Sequence, residues 1–238
     1  MGAADVTVVL THGAWADGSS WHKVISGLWS AGVRAVAAQL PLTTLHDDVA
    51  ALDRTLERVG GPVVLVAHAY AGGVIGSTRA ANVRALVYVA ALAPDEGETV
   101  ADVFYRATPH ASAPALAPDA HGLIWLPGGA FPSAFAQRAS AEELAVLEAT
   151  QQPISPSCIT TPVGRPLWKD RPSWFLIAEE DRMIPAETQR FMAERMGATV
   201  RSHVVDHIPL VTAPSHVTDL LVDVVEDARR SVAGTERD

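Results

Sequence analysis

Few side chains in this sequence can move a proton near neutral pH, and several of them stand just beyond short apolar runs. His12 follows the run 6–11, His68 follows 62–67, Asp181 comes after 174–178 and His207 after 199–205. Histidine titrates closest to neutrality, and beside a carboxylate it can serve as general base and then general acid. The carboxylates on offer are Asp181, Asp95, Asp206, Glu179 and Glu180; the last three read as solvated. His203 lies within an apolar run and His216 on a following helix, which makes both weaker candidates than His207. Cys158 is the only cysteine and sits in a Pro/Ser/Thr-rich stretch, so an intramolecular disulfide framework and Cys-rich zinc sites are excluded and an ordinary thiol is expected. No cofactor and no metal is expected.

The elements that must position these groups read as alternating strands and helices. Apolar runs at 6–11, 33–38, 62–67, 83–90, 174–178 and 199–205 read as strands buried on both faces, as a parallel sheet requires. Between two of them, Leu45, Val49, Leu52, Leu56 and Val59 make one helical stripe, with Asp47, Asp48, Asp53, Glu57 and Arg58 mostly left to solvent. Further helices are expected at 185–196 and 214–229, each opened by a proline. The pattern predicts right-handed βαβ units in a doubly wound, mostly parallel α/β sheet. The stretch 95–171 breaks the rhythm. Residues 94–172 hold eleven of the sixteen prolines, and only 140–150 reads clearly as a helix, with Ser140 as N-cap and Glu143 three residues on. An insertion of that length is expected to cap the C-terminal edge of the sheet, where ligands bind. One domain, 1–238, with that inserted cap is the predicted organisation.

The run Val63-Val64-Leu65-Val66-Ala67-His68-Ala69-Tyr70-Ala71-Gly72-Gly73 is a buried strand entering a small-residue turn and then a helix. It resembles the nucleophile elbow of the α/β hydrolases, in the cofactor-free esterase and hydroxynitrile-lyase-like branch. The departure is at the centre: the position that holds serine in the family is Ala69. By the same resemblance, His12-Gly13-Ala14-Trp15 is the oxyanion loop, and the N–H groups of Ala14 and Tyr70 form the oxyanion hole. Asp181 is then the acid and His207 the base, in the family's order along the chain, with Asp95 at the alternative acid position. Trp15 and Trp125 are taken as substrate-binding residues, Trp21 as the start of the first helix, and Trp168, Phe104 and Phe131 as part of an apolar cap.

An alanine at the elbow closes the acyl-enzyme route, since it offers no nucleophilic atom. Three readings stay open. The chain is a serine-to-alanine variant of an esterase, or an enzyme that uses His207 and Asp181 as a general base without serine, or an inactive binder of small ligands. The substrate is expected to be a small, apolar ester or carbonyl compound. A net charge of −9 with no basic block argues against nucleic acid, and no apolar run reaches the ~20 residues of a membrane span. The N-terminus shows no basic leader, and Val6 breaks the acylation pattern that Met1-Gly2 begins, so a cytoplasmic protein is expected. Oligomeric state cannot be read from these features.

Overall fold

The computed structural model describes residues 6–235, so Met1-Gly2 lies outside the described residues. Six parallel strands form one sheet: β1 (Thr7–Thr11), β2 (Ala35–Ala38), β3 (Val63–His68), β4 (Val83–Val89), β5 (Ser173–Ala178) and β6 (Thr199–His203). Their spatial order is β2-β1-β3-β4-β5-β6. The chain therefore steps outward from β1 to β2, returns past β1 to β3, and continues outward on the other side. The reversal leaves a crevice at the C-terminal ends of β1 and β3, where open α/β sheets bind their ligands. Thr11 pairs with Ala67 there, so the loops at His12 and Ala69 leave the sheet side by side.

All six strands fall within about two residues of expectation, but burial divides them. β1 and β3 are wholly buried, and β4 is buried except for Arg84. β2 is mostly half-buried and β6 has no fully buried residue. These two are the sheet edges, where fewer neighbours cover each face, so the expectation of two-sided burial was wrong for them.

Helices pack around the sheet: α1 (His22–Ser30), α2 (Leu45–Val59), α3 (Ala71–Ser77), α7 (Ala186–Met196), α8 (Pro209–Thr212) and α9 (Pro214–Thr235). α2 is capped by Thr44, whose side chain accepts from the Asp47 N–H, and it buries Leu45, Leu52 and Leu56 as its stripe requires. Asp48 departs from expectation. It is fully buried on the same helix, because the turn after β2 and the start of α3 close over it.

Between β4 and β5 the insertion carries α4 (Val100–Phe104), a π-helical turn (Phe131–Phe135), α5 (Ala141–Thr150) and α6 (Pro156–Thr160). Ser140 and Glu143 form the predicted capping box of α5. The short α4 and α6 were not legible: five residues cannot display a helical period. Among the described residues, no helix is long and apolar enough to cross a membrane.

Candidate active site

The turn at the end of β3 is the sharpest feature of the site. Ala69 has φ 49°, a left-handed conformation that costs a non-glycine residue about 1–3 kcal/mol. Its carbonyl accepts from Leu92 N–H at 2.9 Å and Gly72 N–H at 3.2 Å, which holds the strained turn in place. α3 then passes so close to the loop after β4 that a Cβ on Gly72 would lie 2.0 Å from the Leu92 carbonyl oxygen. Only glycine fits there. Ala67 and Ala71 are fully buried beside the turn, as the close approach of strand and helix demands.

Two buried histidines brace this region. His12 donates from Nδ1 to the Gly13 carbonyl and accepts the Leu40 N–H at Nε2, both at 2.9 Å. His68 donates from Nε2 to the His207 carbonyl at 2.8 Å, and its Nδ1 is buried without a partner. Burial holds both rings below the ordinary histidine pKa, His68 well below, so both are neutral struts. The His12 loop packs tightly on the elbow: a Cβ on Gly13 would stand 2.9 Å from the Ala69 methyl. Trp15 N–H is taken by the Gln152 carbonyl and its indole N–H by the Ile124 carbonyl. Among the described residues no protein acceptor meets the N–H of Ala14 or of Tyr70. Amides left open at a strand end can donate to an oxygen of a bound molecule.

Asp181 and His207 meet as the sequence predicted. His207 Nδ1 donates to Asp181 Oδ2 at 2.9 Å, and both side chains are almost completely buried. The carboxylate accepts three more hydrogen bonds, each 2.8 Å: Met183 N–H and Ile184 N–H at Oδ1, and Gln189 Nε2 at Oδ2. These donors turn the carboxylate toward the imidazole. With Nδ1 engaged, Nε2 of His207 is the ring atom left for a proton transfer.

A cavity of about 60 Å³ lies against these groups, lined by Ala14, Trp15, Ala69, Tyr70 and His207 from the sheet side. The insertion supplies much of the remaining wall, including Phe104, Leu116, Ile124, Ile154 and Ile159. His207 is the only residue with an ionisable imidazole, carboxylate, amine or guanidinium in the lining.

Trp125 and Asp206 depart from expectation, and the other candidates take the places described with them. Trp125 is 43% exposed, bonds Asp119 through its indole N–H, and does not line the cavity. Ile124 bridges Ile154 as a short antiparallel pair and faces inward, which turns its neighbour outward. Asp206 is buried rather than solvated, accepting from Arg138 N–H and Thr212 Oγ1, and burial raises its pKa. Asp95 is ion-paired with Lys169 rather than with His207. His203 and His216 stack on each other 4.1 Å apart and do not line the cavity. Trp21, Trp168 and Phe131 are core residues outside the cavity wall, with Trp21 at the start of α1 as expected. Glu179 pairs with Arg190, and Glu180 with Arg138, at the surface. The sequence reading missed the side chains of Asp48, Tyr70 and Cys158, which form one buried cluster behind the elbow.

Residues 8–219 match the model of the alpha/beta hydrolase family, nearly the whole described chain. The chain belongs to the alpha/beta hydrolase family. No curated protein matches it by sequence. Among solved structures, this alpha/beta hydrolase resembles polyneuridine aldehyde esterase with a TM-score of 0.80 at 19% identity, covering 92% of this chain and 99% of the other. It resembles a pyrethroid hydrolase from Sphingobium faniae JZ-2 with a TM-score of 0.79 at 20% identity, over 93% and 98%. A histidine-to-alanine variant of tomato methylketone synthase I, complexed with β-ketoheptanoate, gives 0.80 at 17% identity, over 94% and 99%. Such low identities establish the shared fold.

Proposed function

We propose that this alpha/beta hydrolase is an enzyme acting without a covalent nucleophile on a small carbonyl compound with an apolar chain, held beneath the insertion, which serves as its cap. One observation carries the reading: His207, paired with Asp181, lines the same cavity as a strained elbow whose central residue, Ala69, has no atom to attack with. In this reading the N–H groups of Ala14 and Tyr70 form the oxyanion hole, and His207 moves the proton.

A 3-oxo acid suits that arrangement. Its ketone oxygen accepts from the two amides. As the bond between the α-carbon and the carboxyl carbon breaks, the electron pair passes to the ketone oxygen as an enolate and CO2 departs. His207, protonated at Nε2, then delivers a proton to the α-carbon, giving a methyl ketone, and is reprotonated from solvent. The apolar wall assists because it offers no lysine or arginine to stabilise the carboxylate before reaction. The likeness in fold to a methylketone synthase complexed with β-ketoheptanoate supports choosing this class first.

The test is to follow 3-oxoheptanoate by NMR for CO2 and 2-hexanone. Catalysis is expected, insensitive to fluorophosphonates because Ala69 offers no Oγ, and lowered at least ~100-fold in His207→Ala. Turnover unchanged by that substitution overturns the role given to His207. Tight binding without turnover, or proton exchange, of any carbonyl ligand tried points instead to a carrier or sensor.

A further inference from the structure

Asp48 is a buried carboxylate to which no cation among the described residues is bonded. Its Oδ1 accepts the Leu42 N–H at 2.7 Å, and its Oδ2 accepts the Tyr70 hydroxyl at 2.6 Å and the Cys158 thiol at 3.6 Å. An unpaired buried charge is costly, several kcal/mol by common experience, and persists only where donors surround it. Each donor comes from a different part of the site. Leu42 sits in the turn after β2 with φ 56°, Tyr70 follows Ala69 in the elbow, and Cys158 lies on α6 of the insertion.

We propose that Asp48 is a positioning residue that clamps the Tyr70 side chain, and thereby fixes the Tyr70 amide that receives the substrate oxygen, while tying the insertion to the same point. The argument rests on the proposed role of that amide. Tyr70 lines the cavity, its N–H meets no acceptor among the described residues, and its hydroxyl is anchored on Asp48. A ring fixed at both ends resists rotation of the peptide joining Ala69 to Tyr70, which the strained elbow would otherwise relax. Charge-assisted hydrogen bonds such as Tyr70 to Asp48 are about twice as strong as neutral ones. Around the same point the insertion is stitched down by a main-chain bond, Ser155 N–H to the Leu42 carbonyl, and by the Gln152 side chain, whose Nε2 donates to the carbonyls of Leu40 and Pro41. The burial that pushes the Cys158 thiol pKa up to about 12 keeps it a hydrogen-bond donor.

The test has an arm that needs no substrate. Amide hydrogen exchange at Tyr70, read by NMR in the unliganded chain, is expected to speed up at least tenfold in Tyr70→Phe and in Asp48→Asn. Exchange at Ala14 should stay within twofold. In an Ala69→Ser background given p-nitrophenyl acetate, both changes should lower kcat about tenfold with KM within twofold. A misplaced donor loses part of the 10²–10³ that a missing one costs. Asp48→Ala should be worse than Asp48→Asn, which keeps one acceptor oxygen. Should Asp48→Asn fail to fold, Tyr70→Phe decides, because it keeps the ring and the carboxylate and removes only the hydroxyl. Folded variants with Tyr70 exchange and kcat both within twofold of the parent overturn the proposal; if the Ala69→Ser chain is inactive, exchange alone decides. A dispensable His207 would defeat the proposed function and leave the exchange result untouched.

Discussion

The elbow and the loops that carry Asp181 and His207 meet at one small cavity, and they are built differently. On one side every group needed for proton transfer is present: a buried carboxylate with four donors, an oriented imidazole and an unengaged Nε2. On the other side no nucleophilic atom stands at the centre of the turn, where Ala69 is left-handed and its carbonyl accepts from Leu92 and Gly72. In the proposed reading the strain at Ala69 serves the neighbouring amide of Tyr70, which no acceptor among the described residues meets.

The largest effect expected from breaking this contrast is a gain. Ala69→Ser places a hydroxyl on an elbow that already has the turn, the small neighbours Ala67 and Ala71, and His207 in the lining of the same cavity. A working nucleophile contributes about 10⁶ in rate, and a fractional misplacement of strand and helix can cost ~100-fold. Hydrolysis of p-nitrophenyl acetate should therefore rise by roughly 10⁴ over the parent, with a burst and a trapped acyl-serine. A folded variant with no acyl-enzyme would show that the two sides no longer fit each other for ester chemistry.

Next in size is the loss from disturbing the intact side. Asp181→Asn in the Ala69→Ser chain should lower kcat by about 10³, since the amide presents a donor to His207 and disfavours the tautomer with a free Nε2. Asp95→Asn, the acid on the loop after β4, should change it less than twofold. Equal effects would mean that the acid has been misassigned.

The smallest effect separates histidines that titrate in service from those that stay neutral. His12 and His68 have pKa values below the ordinary histidine value of 6.5 because they are buried. As pH falls past that value the unfolded chain takes up protons that the folded chain refuses. The stability contributed by the neutral rings is whole above the unfolded value and is lost on the way down to the folded one. Each ring should contribute a slope of about 1.4 kcal/mol per pH unit in that window. Asp48 and Asp206, raised by burial, act in the opposite sense: their contribution is whole at low pH and is lost as pH rises through their elevated values. Urea unfolding between pH 7.5 and 5 should show stability falling with acid. A flat profile would remove the neutral-strut account of the two histidines.

By itself the sequence determined the alternating order of strands and helices and, through its resemblance to the family, the sharp turn at Ala69 and the choice of Asp181 and His207 as acid and base. The first is written in β-branched runs and helical spacing, the other two in motifs that follow successive strands. Tertiary structure decided the rest. Asp48 stands among acidic neighbours on a helix with a clear apolar stripe, so its spacing marked it as solvent-facing. Its burial comes from Tyr70, 22 residues on, and Cys158, 110 residues on, closing over it. The inward turn of Ile124 at the expense of Trp125 depends on a bridge to Ile154, thirty residues away. The shallow burial of β2 and β6 follows from strand order, which no run of residues encodes. Local spacing reports which face of an element is apolar. What covers that face, and which polar group is trapped beneath the cover, is set only when distant segments pack.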